Sequence, residues 1–138
     1  MSKFGDCEKK VTHKKIVLEE NKSKITFNNP KKQFVRVILI DGCVIKSGVR
    51  CDNLVIDNIS IEYFVELKGS DVNHAVDQII RTIELTSNNP KSQHKYCFII
   101  SSRCPLLSPE IQILKKKFKK CYNAILIIKN TYYEHNLN

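Results

Sequence analysis

Between Phe34 and Lys68 the chain repeats one pattern, short runs of β-branched and aliphatic residues cut by tight-turn signals, and then switches to helical spacing. Period-2 and period-3.6 segments in succession build layers of sheet and helix, so this switch constrains the fold more than any other feature. The first run is Phe34 to Ile40. Asp41-Gly42 gives a turn, and Cys43-Val44-Ile45 reads as a continuing strand. Ser47-Gly48 turns again, and Cys51–Asp57 and Ile61–Lys68 read as two further strands joined by Asn58-Ile59-Ser60. Gly69 breaks the last run, and Ser70 or Asp71 is a capping residue. Val72, Ala75, Val76, Ile79, Ile80 and Ile83 then recur with the spacing of one helical face, up to Asn88-Asn89-Pro90.

Flanking segments extend this plan. Residues 6–22 are lysine-rich, with Cys7, Val11, Ile16, Val17 and Leu18 as apolar members, and read as a helix. Tyr96–Ile100 is a buried-type strand. Ser108-Pro109-Glu110 opens a helix with Ile111, Leu114, Phe118 and Cys121 as its inner stripe. Ala124–Ile128 reads as a final strand and 131–138 as a frayed tail. The expected class is α/β, a mixed sheet flanked by helices. The 138 residues suit one domain spanning 1–138, with a core about 15–101 and an added helix and strand over 108–129.

Charge narrows the partners. Lys and Arg number 23 against 14 Asp and Glu, a net +9, which favours an anionic partner, nucleic acid first. The lysines Lys115, Lys116, Lys119 and Lys120 lie on the outer face of the 108–122 helix, suited to backbone phosphates or simply to solvent. No apolar run approaches the ~20 residues of a membrane span, and Met1–Glu8 has no apolar signal segment. A cytoplasmic, non-secreted protein is expected, with its six cysteines as reduced thiols. No C-x-x-C pair occurs among them, and Cys97 and Cys121 read as core thiols. His74 is read on the outer side of its helix, and His13, His94 and His135 in polar stretches.

The chemistry concentrates at Asp52 and Glu66-Leu67-Lys68. Glu66 and Lys68 are two apart in a strand and share a face, and a short connection brings Asp52 beside Glu66. Two adjacent carboxylates repel unless a cation or proton lies between them, and a hard divalent ion such as Mg²⁺ suits oxygen ligands. A neighbouring lysine then orients water or neutralises charge on a phosphate. The tripeptide alone carries little, because Glu8-Lys9-Lys10 and Glu20-Asn21-Lys22 match it too. Only the third match has a strand-borne aspartate before it and a capped helix after it.

Asp52, then Glu66-x-Lys68, then a helix bearing Gln78 resembles the PD-(D/E)XK nuclease superfamily over about residues 15–101. Its scale is similar to the small archaeal Holliday-junction resolvases and to compact endonuclease-like proteins of bacteria and phages. Cys51 stands where the motif's name has proline. The resemblance implies a restriction-endonuclease-like core of order αβββαβ, here with an added helix and strand. It implies Asp52 and Glu66 as ligands of Mg²⁺, with Mn²⁺ as a substitute, and the Leu67 carbonyl completing the site. It implies Lys68 positioning the attacking water and Gln78 as an auxiliary residue. Glu19 or Glu20 would join from the first helix, Glu20 being nearer its buried side. The expected activity is a metal-dependent nuclease, an endonuclease before an exonuclease, acting on DNA as a homodimer or with a protein partner. A catalytically silent nucleic-acid-binding or regulatory module of the same fold is the alternative. An ordinary surface ion pair is the plain reading of the same residues. A module whose positive charge meets an acidic protein is a further one.

Overall fold

The computed structural model describes residues 3–67, 71–102 and 108–137. Among these residues, after a 3-10 turn at Gly5–Cys7, nine strands and two α-helices follow in order: β1 (Glu8–Val11), β2 (Lys15–Glu20), β3 (Ser23–Asn28), β4 (Val35–Leu39), β5 (Asn53–Ile56), β6 (Glu62–Glu66), α1 (Val72–Thr86), β7 (Lys95–Ser101), α2 (Ser108–Tyr122), β8 (Ala124–Asn130) and β9 (Tyr132–Asn136). Six strands form a mixed sheet in the order β1-β4-β5-β6-β7-β8, antiparallel from β1 to β6 and parallel from β6 to β8. The α/β class and mixed sheet follow the expectation from sequence. None of the helices described is long and apolar enough to cross a membrane.

The two crossovers, β6-α1-β7 and β7-α2-β8, step the same way across the sheet, and right-handed connections then put both helices on one face. Leu54, Phe64, Cys97 and Leu126 meet Ala75, Ile79, Ile83 and Phe118 there, all buried. A second sheet, β2-β3-β9, covers the opposite face, where Ile25, Phe27 and Leu137 pack on Val55, Tyr63, Val65 and Phe98. The central strands are thus covered on both sides, which is why β6 is buried at every residue.

Several expectations give way. The helix expected over 6–22 is replaced by β1, β2 and the start of a hairpin. Ile16 is buried, Val17 exposed, Leu18 half-buried and Glu19 exposed, a two-residue alternation that fits a half-covered strand. Asn21 at φ 53° closes the hairpin in the left-handed region that asparagine tolerates. Cys43-Val44-Ile45 forms no strand; a lone bridge joins Asp41 to Ile45. The tail expected to fray forms β9, parallel to β3, with Leu137 N–H donating to Asn28 O at 2.8 Å. Cys121 is exposed: one helical turn after Phe118, α2 has already reached the edge of its contact with the sheet.

The reduced-thiol expectation fails at one pair. Cys7 and Cys43 form a disulfide across 36 residues, their Cα atoms 5.8 Å apart. Antiparallel pairing of β1 with β4 sets the N-terminal segment beside the turn after β4, and proximity does the rest. Cys97 is a buried core thiol, and Cys104 lies outside the described residues.

Candidate functional site

Asp52 precedes β5 and Glu66 ends β6. The last register pair between these strands is Asn53 with Val65, so Asp52 falls opposite Glu66. The backbone fixes this: Asp52 N–H donates to Val65 O at 3.1 Å, and Leu67 N–H donates to Asp52 Oδ2 at 2.7 Å. Asp52 is 6% exposed and Glu66 1%. The other carboxylate of β6 shows a contrasting, structural use. Glu62 accepts from Ser87 Oγ at 2.6 Å and Asn88 N–H at 2.9 Å, closing the C-terminal end of α1 at the far end of the strand.

Glu20 reaches the same place from the hairpin. Ile16, Leu18 and Glu20 lie on the inner face of β2, paired with Phe27, Ile25 and Ser23. The alternation that buries Ile16 and half-buries Leu18 carries Glu20 inward. Glu19 points out with Lys24 as its cross-strand neighbour and is exposed. Glu20 and Glu66 both lie within hydrogen-bonding reach of the Asp52 carboxyl, so the structure brings Glu20 to Asp52 from a strand instead of a helix. Burial, above all, and then the charge of Glu20 push the Asp52 carboxyl above its ordinary value. The Leu67 N–H and the Glu66 hydrogen bond oppose that shift.

Two clefts meet at Asp52. One, about 510 Å³, lies on the hairpin side, lined by Val17, Glu19, Glu20, Leu39, Asp41 and Asp52 among others. The other, about 350 Å³, lies toward α1, lined by Asp41, Arg50, Asp52, His74 and Gln78 with Gly48 and Val49. The wall of this second cleft is a pinned loop. Gln78 Nε2 donates to Arg50 O at 2.9 Å, and Arg81 Nη1 donates to Ser47 O at 3.0 Å and Val49 O at 2.7 Å. Gly48, at φ +81°, lets that guanidinium pass, since a Cβ there would lie 2.6 Å from Arg81 Nη1. Arg50 Nε in turn donates to Asp41 Oδ1 at 2.8 Å.

Gln78 therefore borders the site and holds its wall. Leu67 contributes its N–H, and Lys68 lies outside the described residues. Lys115, Lys116, Lys119 and Lys120 are exposed on α2, which packs against β8, and they line neither cleft. Asp41, Arg50 and His74 were not singled out as site residues from the sequence. The Asp41-Gly42 and Ser47-Gly48 turns marked that loop as a loop, but its path over Asp52 depends on contacts from Gln78 and Arg81.

The donor set suits a hard divalent cation. Its groups are carboxylate oxygens, the ligand type such a cation takes, and Asp52 with Glu66 would supply one or two of them. Among the described residues, no group of three or more His, Cys, Asp or Glu side chains is placed to hold a metal ion. Asp52 is the shared neighbour of two carboxylates, Glu20 and Glu66. No family model matches this chain, and neither a curated protein nor a solved structure is similar to it.

Proposed function

We propose that the chain is a Mg²⁺-dependent nuclease, an endonuclease before an exonuclease, that hydrolyses phosphodiester bonds in DNA. The observation that carries this reading is the pairing of Asp52 with Glu66 where β5 begins and β6 ends, two buried carboxyls with Glu20 beside them. Carboxyls so placed are costly to ionise alone, and that cost turns into affinity for a cation. The meander β4-β5-β6, helix α1 and parallel strand β7 follow the βββαβ part of the restriction-endonuclease-like order that the sequence resembles, with a hairpin in place of its first helix. The net charge of +9 favours a polyanionic substrate.

The division of labour follows from the chain's own groups. Asp52 and Glu66 would hold the cation, which when bound stabilises charge building on the scissile phosphate. Leu67 N–H fixes one oxygen of Asp52 and so its orientation. Glu20 adds negative charge that strengthens the hold on a cation. Lys68, two residues beyond Glu66, would orient the attacking water, and Gln78 keeps the loop that walls the site in place.

A cleavage assay tests this. DNA incubated with the protein is expected to be cut in Mg²⁺ or Mn²⁺ and left intact in EDTA. Glu66→Gln and Lys68→Ala each should lower the rate by about a hundredfold or more without unfolding the protein. Cleavage that EDTA leaves unchanged overturns the proposal. A silent nucleic-acid-binding module draws on the exposed lysine face of α2. It expects DNA retention that weakens steeply with salt and is indifferent to EDTA and to Glu66→Gln.

A further inference from the structure

The two clefts that meet at Asp52 differ in chemistry, and a nucleic-acid strand has two chemistries to match them. The hairpin-side cleft carries carboxylates from Glu19, Glu20, Asp41 and Asp52, and none of its described lining residues is Lys, Arg or His. Away from the cation that Asp52 and Glu66 would hold, these carboxylates offer phosphate oxygens no donor. The same cleft presents Val17 and Leu39, 50% and 49% exposed, with the half-buried Leu18 and the buried Leu67 behind them. Half-exposed aliphatic side chains beside carboxylates suit a neutral, flat, apolar-faced group that accepts or donates hydrogen bonds at its edge. The α1-side cleft sets Arg50, His74 and Gln78 beside Asp41 and Asp52. Arg50 donates to Asp41 Oδ1 and Gly48 O, and Gln78 to Arg50 O, which leaves His74 and the remaining N–H groups of Arg50 and Gln78 as donors to phosphate oxygens.

We propose that the substrate strand crosses Asp52 with its backbone on the α1 side and an unpaired base lodged on the hairpin side, against Val17 and Leu39. This deepens the nuclease reading and rests on it. In a matched duplex both faces of each base are stacked and only the edges are open, so a base can present its face to these side chains only when unstacked. The substrate class is accordingly single-stranded nucleic acid, or a duplex opened at a mismatch, bulge or end. Asp41 belongs to both clefts and ties Arg50 to the boundary between them, so the guanidinium stands where backbone gives way to base.

One oligonucleotide sequence, offered single-stranded, in a matched duplex and in a duplex with a central mismatch bubble, tests the assignment with the full chain in Mg²⁺. The single strand and the bubble are expected to be cut at least about tenfold faster than the matched duplex, the scale of one base stacked or unstacked. Val17→Thr combined with Leu39→Asn removes the apolar wall without adding charge. It should lower single-strand cleavage about tenfold with an unchanged melting temperature, since both side chains are half-exposed. A matched duplex cut as fast as the single strand overturns the proposal, as does a double variant that keeps the wild-type rates. Binding in EDTA, read by anisotropy of the same labelled oligonucleotides, separates the two readings. If nothing is cut in Mg²⁺ or Mn²⁺, the nuclease reading falls. A single-strand binding preference that the double variant abolishes then supports the base seat, and equal binding of all forms overturns it.

Discussion

Asp52 is a carboxyl held where its charge is penalised by burial and by Glu20, so the folded protein binds its proton more tightly than the unfolded chain does. The sign follows from linkage. The stability this proton contributes is fully present below the ordinary carboxyl value of 3.8 and is lost as pH rises through the higher folded value. Asp52→Asn keeps an oxygen acceptor for Leu67 N–H and removes the charge. In EDTA at neutral pH it is expected to melt a few degrees above wild type, with a flatter dependence of stability on pH over the acid range. Mg²⁺ should raise the melting temperature of wild type, because a ligand that binds only the folded state stabilises it, and leave the variant unmoved. Thermal melting with and without the metal reads both effects, and a variant less stable than wild type in EDTA removes the argument. Asp52 and Glu66 were legible from the sequence because a meander register is local, set by a short connection. His74, Asp41 and Arg50 were not, since their place at the site depends on how one loop is strapped to α1.

At the scale of elements, the second sheet carries Glu20 and depends on β9. Leu137 is buried among Ile25, Phe27 and Phe98, so Leu137→Ala is expected to cost about 2–4 kcal/mol of stability in denaturant unfolding. Phe118→Ala, which empties a fully buried position under α2, is expected to cost about 3–5 kcal/mol. Cys121→Ser, exposed on the same helix, should shift the midpoint by less than about 0.5 kcal/mol. Equal losses at Phe118 and Cys121 would place the inner stripe of α2 elsewhere. These elements also show what a one-dimensional pattern carries. Strands β4 to β8 and both helices declare themselves by period, since each has an apolar face of ordinary length. Strand β9 does not, because Tyr132–Asn136 is polar on its outer face and its pairing partner lies more than a hundred residues away in β3. Strand β2 does not declare itself either, because Lys15–Glu20 places three apolar residues in a row, which admits either period.

For the molecule as a whole, the Cys7–Cys43 bridge fastens the outermost strand of the large sheet to the turn that carries Asp41. Alkylation before and after reduction should find Cys7 and Cys43 protected until reductant is added. Cys121 should react first among the described free thiols, while burial pushes Cys51 up to about 12 and Cys97 up as well. Reduction, or Cys43→Ser, is expected to lower stability by about 3–4 kcal/mol, the chain-entropy scale of a loop this long. Free Cys7 and Cys43 thiols in the native, unreduced protein would rule the bridge out. The parallel pairing of β3 with β9 also orders events in time. The hairpin that brings Glu20 to Asp52 is flanked by a strand made from residues 132–136, so on a translating ribosome its sheet stays incomplete until those residues have emerged. Contacts so distant along the chain close slowly. The charged centre is thereby among the last parts of the molecule to be assembled, and a nascent chain carries Asp52, Glu66 and Glu20 well before it has the means to align all of them.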